Sequence, residues 1–236
     1  MNISNRKNIN IEESKITVIG FGRSGEGAAL LGHYLGANMF ISDGGSTDTM
    51  VESGKKLEAF GIQIETGGHT EKIYNTDLWV VSPGIAQDAE IVLNAKAKSI
   101  PIVSEIEFAS WFTDAPIISL TGSNGKTTSV HLLNKMCQTE SLSPALSGNV
   151  GTAFSEIVLA DLKDKPVNRI HVLEISSFQM EATSGLHPVA SIILNISPDH
   201  MDRHKDFESY VELKKKIFTH QTQNDFLILN QDDPNT

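Results

Sequence analysis

One cysteine, Cys137, stands among 236 residues, which rules out an internal disulfide and points to a reducing compartment. Basic residues are scarce too: 19 Lys and Arg face 29 Asp and Glu, a net charge of −10, so no surface of the kind that grips nucleic acid is encoded. Any anionic ligand has to be held locally. No apolar run approaches the ~18 residues of a spanning helix. The polar opening Met1 to Lys15 lacks the apolar stretch of a secretory signal. Repeats of solenoid period, low-complexity tracts and coiled-coil heptads are absent as well. The expectation is a cytoplasmic monomer with no membrane or nucleic-acid partner. At 39% hydrophobic residues the chain is long enough for one large or two modest globular domains.

Strand patterns alternate with helical patterns from Ile16 onward, which predicts parallel sheets covered by helices, an α/β class. The alternation runs twice. The first run has strands at Ile16 to Gly20, Met39 to Ser42, Leu78 to Ser82 and Ile102-Val103, with helices at Ser24 to Leu35, Thr49 to Phe60 and Glu90 to Lys98. Glu105 to Phe112 reads as a connecting helix. The second run has strands at Ile117 to Leu120, Ile170 to Ile175, Ala190 to Asn195 and Phe226 to Asn230, with helices at Thr127 to Thr139 and Tyr210 to Thr219. Two domains follow, 1–104 Rossmann-like and 105–236 P-loop-like. The second is expected to be incomplete, because its alternation stops abruptly at Thr236.

The run Thr121-Gly-Ser-Asn-Gly-Lys-Thr-Thr128 joins a buried strand to a helix and reads as a phosphate cradle. Amides left unpaired at the helix start point at oxyanions, and the helix dipole adds partial positive charge there. Gly122 and Gly125 allow close backbone approach, Lys126 supplies an ammonium for the outer phosphates, and Thr127 offers a hydroxyl to Mg²⁺. The longer G-x-x-x-x-G-K-[ST] form would need glycine where Leu120 stands, so only the shorter T-G-x-x-G-K-T form is present. An ordinary strand-helix loop has no need of Lys-Thr-Thr after it. Val130, Leu133, Met136 and Cys137 recur at helical spacing, which places Cys137 in the core.

Gly20-Phe-Gly22-Arg-Ser-Gly25 follows a strand and opens a helix, and Asp43 ends the next strand. That pattern fits a dinucleotide site, hence a nicotinamide-dependent oxidoreductase, as well as the diphosphate of another nucleotide or a structural turn. Glu174 ends a strand in the second run, and Asn195-Ile-Ser-Pro-Asp-His-Met-Asp-Arg-His204 ends the next. Ligands collect beyond the carboxyl ends of parallel strands, so Thr127, Glu174 and His200 would converge there on a divalent cation beside a nucleotide. Singly, Glu174 is also readable as a solvated strand end and His200 as a structural histidine. Asp199, Asp202, Arg203 and His204 are equally readable as turn and surface residues, and Lys214 to Lys216 as a solvated helix face.

Five segments together resemble the Mur ligases: GFGRSG at Gly20 to Gly25, SPGI at Ser82 to Ile85, TGSNGKTT at Thr121 to Thr128, EISSFQME at Glu174 to Glu181 and NISPDHMDRH at Asn195 to His204. The SSFQ and SPDHMDRH segments are most similar to the branch that adds D-glutamate. The resemblance implies a three-domain enzyme that uses ATP and Mg²⁺ to join D-glutamate to UDP-N-acetylmuramoyl-L-alanine through an acyl phosphate. Nothing in the sequence corresponds to the third domain. Carried over position by position, Gly22, Arg23, Ser24, Asp43, Ser82, Pro83 and Gly84 would form the UDP pocket. Asn149 and Ser176 would meet the muramoyl substrate or the transferred phosphate. Gly122, Ser123, Asn124, Gly125, Lys126, Thr127 and Thr128 would hold ATP. Thr127 and Glu174 would serve one Mg²⁺ ion and His200 a second. Lys214 aligns with a lysine that the family carbamylates into a further metal ligand, which makes Lys126, His200 and Lys214 the catalytic set. A folate-glutamating or tripeptide-extending relative, and a binding module without turnover, are the alternatives within reach of the same motifs.

Overall fold

A parallel strand pair needs a crossover of about a dozen or more residues, and the helices between these strands supply it. The computed structural model describes residues 10–236 and bears this out with two five-stranded sheets in which every pairing is parallel. Most of the polar opening, residues 1–9, lies outside the described residues. The first sheet is built from β1 (Lys15–Ile19), α1 (Arg23–Tyr34), β2 (Asn38–Asp43), α2 (Asp48–Glu58), β3 (Gln63–Thr66), β4 (Leu78–Val81), α3 (Glu90–Ala97) and β5 (Ile102–Ser104). Its strand order is β3-β2-β1-β4-β5. The winding reverses between β1 and β4, which opens a crevice at their carboxyl ends, where the Gly20 and Ser82 loops lie side by side.

The second sheet follows α4 (Glu105–Ser110) and comprises β6 (Ile117–Thr121), α5 (Lys126–Cys137), β7 (Ser143–Gly148), α6 (Phe154–Asp164), β8 (Arg169–Glu174), α7 (Ser177–Met180), β9 (Ala190–Ile193), α8 (Phe207–Lys215) and β10 (Phe226–Leu229). Its order, β10-β9-β6-β8-β7, puts β6 in the middle. Leu120 is therefore level with Glu174 on one side, and Thr121 with Ile193 on the other. Strands β3 and β7 and helices α6 and α7 go beyond the elements expected from sequence. The second sheet thus has five strands where four were foreseen. Pro144 in β7 is tolerated because this edge strand pairs only with β8.

Helix α5 forms, but its expected apolar stripe does not pack as a stripe. Val130 is buried, Leu133 and Cys137 are only partly buried, and Met136 is 68% exposed. The expectation of a core cysteine is corrected accordingly: α5 rests on the small-residue strand β7 and on β8 mainly through Val130. All four residues of β10 are likewise exposed.

The two sheets share one continuous apolar core. Leu31 of α1, Phe108 of α4 and Phe154 and Val158 of α6 belong to the same buried cluster as strand residues from both sheets. Phe108 meets Trp111 and Phe112 edge-on at 5.8 and 5.2 Å. Helices α1 and α6 approach so closely at Gly27 that an added Cβ would lie 2.5 Å from the Ser155 hydroxyl oxygen. Glu105 sits in this seam. It caps α6 from outside the helix by accepting a 2.5 Å hydrogen bond from the Ser155 amide, because Ala153 at the N-cap position has no acceptor of its own. Its other carboxylate oxygen is buried without a partner among the described residues.

Burial pushes the Glu105 carboxyl up to about 7, against the downward pull of the Ser155 hydrogen bond, with Glu156 adding repulsion and Arg23 opposing it. A raised carboxyl takes up a proton on folding, so its stabilisation is complete below the ordinary value near 4.5 and is lost as pH rises through 7. Glu105→Gln should therefore match the wild type in urea unfolding at pH 4.5. Above pH 7 it should exceed the wild type by up to about 3 kcal/mol. A stability difference that does not change with pH would refute the assignment.

Candidate nucleotide and substrate site

The loop after β6 is the centre of the second sheet's carboxyl edge, and its shape is set by neighbours on either side. Gly125 caps α5 at φ +79°, a left-handed conformation that costs a side-chain-bearing residue about 1 kcal/mol or more. Asn195, just past β9, clamps the loop: its side-chain oxygen accepts from the Ser123 and Asn124 amides at 3.2 and 2.8 Å, and its amide nitrogen donates to the Asn124 carbonyl at 3.0 Å. The Ser123 hydroxyl donates to the Ser197 carbonyl and meets the Tyr210 hydroxyl at 3.0 Å. The amides of Gly125, Lys126, Thr127 and Thr128 have no protein acceptor among the described residues. They are the unpaired donors at the start of α5. Lys126 folds back to donate to the Ser123 carbonyl at 2.9 Å.

Lys214 stands apart from the other two lysines of the run. It is 1% exposed, donates to the Gly122 carbonyl at 2.8 Å and lies 4.5 Å above the Tyr210 ring. Burial, then the nearby Lys126 charge, pulls its amine down to about 7. Lys215 instead pairs with Glu212 on the surface, and Lys216 donates to the Met180 and Glu181 carbonyls. The solvated-face reading of the run is thus corrected for Lys214.

Glu174 is buried at the tip of β8. One carboxylate oxygen accepts from the Asn149 side chain at 2.8 Å, and the other is buried with no partner among the described residues. An orphaned carboxylate oxygen on the strand beside a phosphate loop is the donor a hard cation takes, so the residues fit Mg²⁺. His200 is half exposed, takes φ +55° and packs against Phe178 at 5.0 Å between ring centres. It does not share a three-residue His, Cys, Asp or Glu cluster with Glu174; no such cluster occurs among the described residues. Ser176 caps α7 in a reciprocal pair with Gln179, which commits its hydroxyl to the helix start.

At the first sheet, the Ser82 hydroxyl donates to the Gly20 carbonyl at 3.1 Å, fastening the loop that carries Pro83 and Gly84 to the glycine loop. Asp43 accepts from the Phe21 amide at 2.6 Å with one oxygen and from the Gly45 amide at 2.7 Å with the other. Each oxygen retains one further acceptor position. Arg23 leaves the glycine loop that also carries Gly22 and Ser24, and donates to the Gly151 carbonyl of the second half. Beyond Asp43, Glu65 accepts from Ser42 and Thr70, and those bonds outweigh burial and hold it below its ordinary value.

Sequence reasoning assigned no role to Asn195, Tyr210 or Gln179. Asn195 carried a signal, as the polar residue ending a strand beside the Thr121 to Thr128 loop, and so did Gln179, which completes the Ser-x-x-Gln capping-box pattern with Ser176. His204, left open as a surface residue, is buried against Ser177 at 3.0 Å and stacked on Phe178.

The chain is an α/β protein of two parallel-sheet units, the second carrying a strand–helix loop flanked by an orphaned carboxylate and a buried lysine. Residues 15–91 match the MurD N-terminal domain and residues 120–236 the Mur ligase middle domain, and the chain belongs to the Mur ligase family. It is 40% identical over 230 residues to a UDP-N-acetylmuramoylalanine–D-glutamate ligase of Chlorobium chlorochromatii, covering 95% of this chain and 48% of that protein. The ligase of the same name from Christiangramia forsetii is 39% identical, over 94% of this chain and 48% of its own length. The chain thus spans about half the length of the curated relatives it matches. Among solved structures, a UDP-N-acetylmuramate:L-alanyl-gamma-D-glutamyl-meso-diaminopimelate ligase from Neisseria meningitides superposes with a TM-score of 0.62 at 16% identity, over 94% of this chain and 73% of that one. The UDP-N-acetylmuramate-alanine ligase of Thermotoga maritima gives 0.53 at 20%, over 95% and 50%. At such identities the likeness concerns the fold.

Asn195→Ala should speed hydrogen exchange most at the Asn124 amide. The Ser123 amide should respond less, because it keeps the Asn195 main-chain carbonyl at 2.9 Å. The cost in global stability should be about 1–3 kcal/mol. Equal protection of both amides in mutant and wild type would show that the clamp is not needed.

Proposed function

We propose that the chain is the UDP- and ATP-binding portion of an ATP-dependent ligase that joins D-glutamate to UDP-N-acetylmuramoyl-L-alanine in the cytoplasm, with the domain boundary near Ser104. The observation that carries this reading is the anion seat at Gly125 to Thr128, with the orphaned Glu174 oxygen on the next strand and Lys214 at its base. The relatives at about 40% identity support the choice of amino acid.

Carboxylate attack on the γ-phosphorus with ADP leaving, and then amine attack on the resulting acyl phosphate with phosphate and a proton leaving, both gather negative charge. The catalytic work is therefore chiefly electrostatic. The free amides of the α5 start and the helix dipole hold phosphate oxygens in place before the reaction begins, so no reorganisation is required as charge builds. Lys126 exchanges the Ser123 carbonyl for a phosphate oxygen. Thr127 and Glu174 would hold Mg²⁺, which when bound neutralises phosphate charge and polarises the phosphorus under attack. Asn149 keeps Glu174 in the required rotamer by its hydrogen bond. Burial and the Lys126 charge draw Lys214 down to about 7, so near neutral pH far more of it than of an exposed lysine is the neutral amine that carbamylation requires, and the product would add a carboxylate beneath the loop. His200 would serve at the exposed lip of the site. The paired glycine and Ser82 loops would hold the UDP diphosphate on backbone amides, with Asp43 fixing the loop and offering its remaining acceptor positions to the nucleoside.

Calorimetric titration separates the two sites. Lys126→Ala should weaken Mg-ATP binding at least about tenfold, as loss of a charge-assisted hydrogen bond predicts, and leave UDP binding unchanged. UDP-N-acetylmuramoyl-L-alanine should raise the melting temperature more than other UDP-linked acceptors do. Tight NADH binding together with indifference to ATP would overturn the ligase reading in favour of an oxidoreductase.

A further inference from the structure

The two halves are bolted by a reciprocal pair of arginines. Arg23 of the first half donates to the Gly151 carbonyl, and Arg203 of the second donates to the Gly84 carbonyl at 3.4 Å. Arg203 is the more elaborately held. Its other terminal nitrogen pairs with Glu181 at 3.2 Å, and its guanidinium lies 5.3 Å above the Phe178 ring. Phe178 stacks on His204 at 5.3 Å and 21°, and His204 packs on Tyr210 at 5.0 Å. Tyr210 reaches the Ser123 hydroxyl at 3.0 Å and lies under Lys214, which holds the Gly122 carbonyl. A continuous line of contacts thus runs from the Ser82–Gly84 loop to the phosphate loop. His204 and Tyr210 are both buried, at 6% and 1% exposure. Phe178 also touches His200, whose left-handed backbone accepts from the Arg203 and His204 amides at 2.9 and 3.0 Å.

We propose that Arg203 is a positioning residue that couples the two nucleotide sites, by registering the Ser82–Gly84 loop on the phosphate loop through the Phe178–His204–Tyr210 stack. The Arg203–Gly84 contact is the adjustable element. At 3.4 Å it is at the long end for a hydrogen bond, so a ligand that draws the loop inward shortens it, and one that pushes the loop out breaks it. The interior links have little room to yield, because close-packed side chains pass on a displacement. Lysine cannot take the place of Arg203, since a single ammonium cannot pair with Glu181, reach the Gly84 carbonyl and sit over the Phe178 ring at once. This coupling rests on the assignment of the two nucleotide sites above.

The probes are UDP and Mg-ADP, titrated singly and each at saturation of the other. In the wild type, each should change the other's dissociation constant by the same factor, about fivefold or more. Arg203→Ala and Arg203→Lys should both bring the factor below about twofold, while each nucleotide alone binds within about threefold of wild type. Imidazole resonances of His200 and His204 should also shift on adding UDP to the wild type, a measurement that needs no variant. Independent binding of the two nucleotides by the wild type would overturn the coupling, as would a factor that survives in Arg203→Ala, while leaving the site assignments intact. Failure of the wild type to bind either nucleotide would overturn the ligase reading, and the coupling with it.

Discussion

The site depends on a single constraint: the backbone between β6 and α5 must present its amides outward while its carbonyls are held from behind. Left to itself, a glycine-bearing loop samples many conformations, and ordering it on binding would consume ligand affinity. Here the ordering is done in advance. Asn195 takes the Ser123 and Asn124 groups, Lys214 takes the Gly122 carbonyl, and Tyr210 and Ser197 hold the Ser123 side chain. What remains unpaired is the run of amides that opens α5, the part proposed above to receive phosphate. The same division recurs at Glu174, where one oxygen is fixed by Asn149 and the other is left without a partner among the described residues.

Both halves use the same device at different strengths. In the first sheet the crevice between β1 and β4 is narrowed by Ser82 bonding to the Gly20 carbonyl, and Asp43 pins the glycine loop through Phe21. The cluster of α1, α4 and α6 then joins the two sheets through shared apolar side chains, with the Glu105 carboxylate inside the seam. Burying a carboxylate there is costly, and capping the otherwise uncapped α6 recovers part of that cost.

Much of this was legible in the residues. The strand-helix alternation predicted parallel α/β layers, and TGSNGKTT between an apolar run and a helical one predicted the glycine-capped turn from β6 into α5. The missing parts were those with weak local signals. Strand β7 reads SPALSG, small residues and a proline that resemble a loop, and it becomes a strand only because β8 offers a free edge. Helix α6 did carry a helical apolar spacing in Phe154, Val158, Leu159 and Leu162, and was legible but unread. Met136 shows the opposite case, an apolar residue at core spacing that the tertiary arrangement leaves in solvent. Lys214 could be singled out by resemblance alone, since three consecutive lysines look alike until burial separates them.

The two interdomain arginines end on main-chain carbonyl oxygens, Gly151 for Arg23 and Gly84 for Arg203. Every amino acid carries that acceptor, so the bond imposes no side-chain requirement on its partner. Paired substitutions across a lineage would leave no trace of either strut. Methods that infer proximity from correlated change should overlook the contacts that hold these two halves in register, although each arginine is itself constrained.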